Sequence, residues 1–195
     1  MDITRQFIRW IHAISLLACL LASGVAHAYS YAAAGKEPVI DGREAILVAL
    51  SNEDYVAVKA AIDGLSEEFA YLKADHDVDL LTPMLSAIGQ QQASEVEHLM
   101  DKMMYEEIVR RLEGAQNNLA DYQVAKVLVV KSKLFLDLLA PKLEQESRQI
   151  ASQSIQGVLA AIGNPGVFGV GQAPADPQTF KEQRSALMSA LRSFK

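Results

Sequence analysis

Tyr55, Val58, Ile62, Leu65, Phe69 and Leu72 follow one another at spacings of 3, 4, 3, 4 and 3. An α-helix turns once in about 3.6 residues, so these six side chains share one face, whereas a strand would scatter them over both. A stripe this regular has to be buried against another element. It commits its part of the chain to helices that pack on something apolar.

The neighbouring segments carry the same period. Asp41-Gly-Arg-Glu44 reads as a helix start with Asp41 as the cap, and Ser51-Asn-Glu-Asp54 repeats that signal. The stretch from Ala74 to Asp79 closes the striped helix, and Thr82-Pro83 opens a short one that stops near Gly89. A long helix over 93–118 places Val96, Met100, Met104, Ile108, Leu112 and Ala115 on its apolar side. Asp121 caps VAKVLVVKSKLFLDLLA, which is apolar all round from Val127 to Val130 and is therefore expected to be the most buried helix. Pro141 ends or kinks it, and the period resumes through Leu143, Ile150, Val158 and Ile162. The last helix opens at Asp176-Pro177 and carries Phe180, Leu187 and Leu191. Alternating β-branched runs joined by hairpin turns do not occur. The fold expected is all-α, an antiparallel bundle of five to seven helices.

Two faint internal echoes favour paired helical hairpins within it. Residues 47–61 and 112–128 share an ordered set of Leu, Asn, Asp-Tyr, Ala and Lys, and DLLTPML (79–85) resembles DLLAPKL (137–143). Their offsets differ, so a simple tandem duplication would need deletions.

Residues 1–28 have the anatomy of an export signal. Arg5 and Arg9 precede an apolar core over 13–22, and Ala26-His27-Ala28 fits a signal-peptidase site. The core is short for a membrane span, which takes about 20 apolar residues. Cleavage after Ala28 is the reading adopted, with an uncleaved anchor or lipidation at Cys19 as its alternatives. Residues 29–195 then form a single helical domain in the periplasm or the secreted space. Cys19 is the only cysteine, so that domain has no disulfide. Without Asp2, Arg5 and Arg9, the 24 acidic and 18 basic residues fall to 23 and 16, a net charge of −7. So acidic a chain lacks the basic face that nucleic acid requires.

Residues 163–177 read GNPGVFGVGQAPADP. A nucleotide loop would need a preceding strand and either a Gly-Lys-Ser/Thr ending or G-x-G-x-x-G opening a helix, so no nucleotide is expected here. Gly163 suits the left-handed end of a helix, and Pro165 prevents its continuation. Val167, Phe168 and Val170 would each cost about 1.5–3 kcal/mol if left in water. They are expected to dock on the bundle or on a partner, making the segment a Gly/Pro-rich crossover strap before the C-terminal helix.

Chemistry is sparse. His76 and His98 are the only histidines after residue 28, and no G-x-S-x-G elbow accompanies them. Asp75, Asp77 and Asp79 alternate as at the start of a calcium loop, although Leu80 and Ser86 stand where its glycine and glutamate belong. Glu95-Val-Glu-His98 is half of a di-iron pattern with no second half. His98 with Met100, Met103 and Met104 would suit Cu(I), although methionines at helical spacing usually fill cores.

The function expected is that of an exported, non-catalytic helical protein working through contact with a protein partner, as an adaptor or accessory subunit of an envelope complex. Such a role calls for an apolar surface patch of several hundred Å². The alternative is metal handling, with Ca²⁺ on the three aspartates or copper on His98 and the methionines.

Overall fold

The computed structural model describes residues 37–166 and 171–195. The signal segment with Cys19 and Ala28 lies outside the described residues, as do Val167, Phe168 and Val170 of the loop. Among the described residues the chain is all-helical, with no strand. Eight α-helices follow in order: α1 Pro38–Ser51, α2 Tyr55–Asp63, α3 Ser66–His76, α4 Leu81–Gly89, α5 Ala93–Asn117, α6 Tyr122–Leu139, α7 Gln145–Ala161 and α8 Pro177–Ala190. Two 3₁₀ turns, Ala140–Lys142 and Arg192–Phe194, follow α6 and α8.

Several starts lie where the caps place them. Asp121 accepts from the backbone N–H groups of Gln123 and Val124 at the head of α6, and Asp176 does the same for Gln178 and Thr179 at α8. Other starts shift. Helix α1 begins at Pro38, not at Asp41, because a proline has no N–H to satisfy in the first turn. Asp54, not Ser51, caps α2 by accepting from Ala57 N. Thr82 does not cap α4; Asp79 does so from outside, taking Thr82 N at 3.2 Å and Thr82 Oγ1 at 3.0 Å.

The stripe from Tyr55 to Leu72 buries its face as its spacing requires, but on two helices, not one. Val58, Ile62, Leu65, Phe69 and Leu72 are all buried. The axis breaks at Gly64, a poor helix former, and Leu65 turns over Gly42 of α1. A Cβ on Gly42 would lie 2.7 Å from Leu65 Cδ1, so any larger residue at this corner would force the Leu65 side chain to move.

Helix α5 is the centre of the core. Met100, Met103, Met104, Ile108 and Leu112 on it are all but inaccessible to solvent, and α6 packs along it more extensively than any other neighbour. The expectation that α6 would be the most buried helix is therefore corrected. Among the described residues one face of α6 meets α5 and α7, and Val130 and Leu134 on the opposite side are exposed. Apolar composition on every side says nothing about how many sides acquire neighbours.

Pro141 ends α6 in the 3₁₀ turn. Lys142 in that turn pairs with the buried Asp101 of α5, and Arg148 Nη2 donates to Leu143 O at 2.9 Å, holding the corner into α7. Beyond α7, Gly163 takes φ +80°, and the loop closes on itself at its neck. Asn164 and Ala173 exchange two N–H···O bonds of 2.8 Å, and Asp176 N donates to Ala161 O. The echoed heptapeptides part company: DLLTPML opens α4, whereas DLLAPKL closes α6. The Asp-Tyr pairs at 54–55 and 121–122 do play the same part, each heading a helix.

Candidate functional site

The open face of α6 carries a row of branched apolar side chains. Val127, Val130, Leu134 and Leu138 are spaced by 3, 4 and 4, which stacks them along one line of the helix. Val130 is 42% and Leu134 40% exposed, Val127 and Leu138 are half-buried, and Val124 adds to the same side. Lys126 and Lys133 run along one flank of this ridge. Lys133 pairs with Asp137 one turn on, and Lys126 Nζ lies 5.6 Å from the Tyr122 ring centroid. Single exposed apolar residues are ordinary on any protein; on this helix three, Val124, Val130 and Leu134, are exposed on one side.

A second feature lies between α1 and α2. An open groove of about 600 Å³ is lined by Asp41, Glu44, Ala45, Val48, Ala49, Asn52, Asp54 and Ala57. Its α1 residues recur at one-turn spacing, so one face of that helix forms the floor. The floor is small and apolar: three alanines with Val48, which is 57% exposed. The rim is acidic, with three carboxylates and no cationic side chain among the lining residues. Asp54 uses one oxygen to cap α2.

The three aspartates proposed for a hard cation do not converge. Asp79 is held by Lys73 Nζ at 2.8 Å and by Thr82, and these bonds bring its carboxyl down to about 2. Asp77 ends α3 in the left-handed conformation, φ 56° and ψ 33°, and Asp75 is exposed on the last turn. The copper set is divided as well. His98 is exposed, whereas Met100, Met103 and Met104 fill the core. Among the described residues no three His, Cys, Asp or Glu side chains are placed to share one metal ion.

What sequence reasoning missed is a buried charge cluster. Arg111 of α5 pairs with Glu107 one turn earlier and with Glu37 at the head of α1. Lys131 Nζ stands 2.8 Å from the other oxygen of Glu37 as an ion partner, off hydrogen-bonding alignment, and Arg110 bonds Glu107 at 2.7 Å. Two rings line the cluster, Phe135 under Arg111 at 4.5 Å and Tyr71 under Arg110 at 4.8 Å. Glu107-x-x-Arg110-Arg111 is legible as a helical ion-pair pattern. Glu37, 74 residues before Arg111, is not.

Farther along α5, burial holds the Glu106 carboxyl above its ordinary value, with Lys102, His76 and Lys195 opposing and Glu113 adding to the rise. His76 Nδ1 is 3.7 Å from Glu113, which also pairs with Arg184 of α8. These contacts join helices distant in sequence, as structural ion pairs do. Among the described residues no helix is long and apolar enough to cross a membrane. No protein-family model, curated protein or solved structure matches this chain.

Proposed function

We propose that this chain is an exported, non-catalytic helical protein that works by docking on other protein, as an adaptor or accessory subunit of an envelope complex. The observation that carries the reading is the ridge on the outer side of α6, where Val124, Val130 and Leu134 are exposed and Val127 and Leu138 are half-buried beside them. Leaving such a row in water forgoes about 25 cal/mol for every Å² of apolar area that a partner would cover. The signal-like pattern of residues 1–28 supports a site of action outside the cytoplasm.

The same reading extends to the arrangement of the helices. Helices α5 and α6, joined by four residues, form an antiparallel hairpin, and α7 and α8 form a second pair linked by the Gly/Pro-rich strap. The ridge then lies on the outside of the first hairpin, where a partner can reach it.

The test is a photo-crosslinking residue placed at Leu134 in the full chain, expressed in its own cells, with Glu67 on α3 as the exposed control. A discrete adduct at 134 and none at 67 is the expected outcome. An equal absence at both positions, with the protein accumulating normally, would overturn the proposal.

A further inference from the structure

The ridge and the groove complement each other, and we propose that the ridge of α6 in one copy of this chain docks in the α1/α2 groove of a second copy. The inference rests on the interaction reading above and names its partner.

Shape is the first argument. Ala45, Ala49 and Ala57 leave the floor of the groove low, so another helix can approach closely. Branched residues one turn apart, such as Val130 and Leu134, are the knobs that fill holes between small residues on a facing helix. Both surfaces lie on helices held from behind by the core: Ile46 and Leu50 anchor α1, and Val129, Phe135 and Leu136 anchor α6.

Charge is the second argument. Asp41, Glu44 and Asp54 rim the groove without a cation among them, and Lys126 and Lys133 flank the ridge, Lys133 paired there with Asp137. Groove on groove would oppose acid to acid, and ridge on ridge would leave both acidic rims without a cation. Ridge in groove instead pairs opposite signs around an apolar centre, the usual anatomy of an interface. The contact joins two different patches, so it is heterologous. Each copy keeps one free ridge or one free groove, and the assembly grows head to tail into a ring or a filament.

That asymmetry supplies the test. Ala45→Arg blocks the groove and Leu134→Arg blocks the ridge. Both positions are exposed, so both variants should fold, with circular dichroism as the check. Sedimentation velocity on the full chain, between about 1 µM and about 0.5 mM, reads weak and strong association alike. The wild type should gain mass with concentration, and each variant alone should stay monomeric. Mixed, the two should form a dimer and nothing larger, because one intact ridge then meets one intact groove. A second pair probes charge: Glu44→Lys and Lys133→Glu should each weaken association at least about tenfold, and together restore it. A wild type that is monomeric throughout, or an Ala45→Arg variant that associates as the wild type does, would overturn the inference. A crosslinked adduct at Leu134 containing a different protein would overturn it too, while leaving the interaction reading intact.

Discussion

Arg111, in the middle of α5, pairs with Glu37, the residue immediately before α1, across 74 positions of sequence. Both side chains are buried, and burial pulls the guanidinium below its ordinary value while Glu37 opposes that. Because Glu107 meets the same guanidinium, Arg111→Ala removes a partner from two buried carboxylates at once and leaves Glu37 to Lys131 and Glu107 to Arg110. The expected loss is at most about 3–5 kcal/mol, the penalty for leaving a buried charge uncompensated, because those two cations still oppose the carboxylates. Urea denaturation at neutral pH measures it. A triple variant, Arg111→Met with Glu37→Gln and Glu107→Gln, should recover part of that loss, since the fully buried charges are gone while Lys131 and Arg110 lose their partners.

Gly163 and Gly171 both have positive φ, at 80° and 74°. They differ in their surroundings. A Cβ on Gly163 would lie 2.6 Å from Ala173 O and 2.8 Å from Ala175 N, whereas one on Gly171 would meet nothing within 4 Å. Gly171→Ala should therefore lose only the backbone preference, about 1–2 kcal/mol. Gly163→Ala should lose clearly more, because the clashing atoms are the backbone at the neck of the loop. Paired thermal melts decide it, and equal losses would mean that the neck opens freely.

Glu106 makes the stability of the protein depend on pH in a stated direction. Its folded value is raised by burial, so the native state binds more protons than the unfolded one at pH values above the ordinary 4.5. Its contribution is fully favourable below that value and is lost as pH rises through the folded one. Glu106→Gln should raise the midpoint at pH 7 and leave it nearly unchanged at pH 4.

Asp79 acts with the opposite sign. Its carboxyl is lowered from 3.8 to about 2, with the Lys73 hydrogen bond as the main cause and the Thr82 bonds next. Its contribution is present above 3.8 and fades as pH falls through about 2. Asp79→Asn should lower the midpoint at pH 7 and make a much smaller difference at pH 2. A variant that melts with the wild type at pH 7 would show that the α4 start does not depend on this cap.

Legibility followed the range of the interaction. The caps at Asp121 and Asp176 and the left-handed Gly163 were readable because each acts within a few residues of itself. The break at Gly64 was not, since the stripe continues through it and the reason to turn is the space over Gly42 on another helix. Asp41 looked like a cap because its neighbours permit one. Pro38 starts the helix, and Glu37 just before it is committed to Arg111, a partner outside any local window. The aspartate and methionine groups were visible as patterns, but whether such groups converge depends on side-chain direction and burial, which spacing alone does not supply.

By itself, then, the sequence determined that this chain is helical, where most of its helices lie and which faces turn inward, because a 3.6-residue period and a capping side chain are local physics. Only the tertiary structure decided that α5 and not α6 occupies the centre, and that Glu37 closes a buried charge cluster. It alone left Val130 and Leu134 of α6 exposed among the described residues, and an acid-rimmed groove beside α1. Those outcomes depend on which apolar faces find each other. Helix faces of similar composition compete for the same places, and the packing of the whole chain settles which of them is left over.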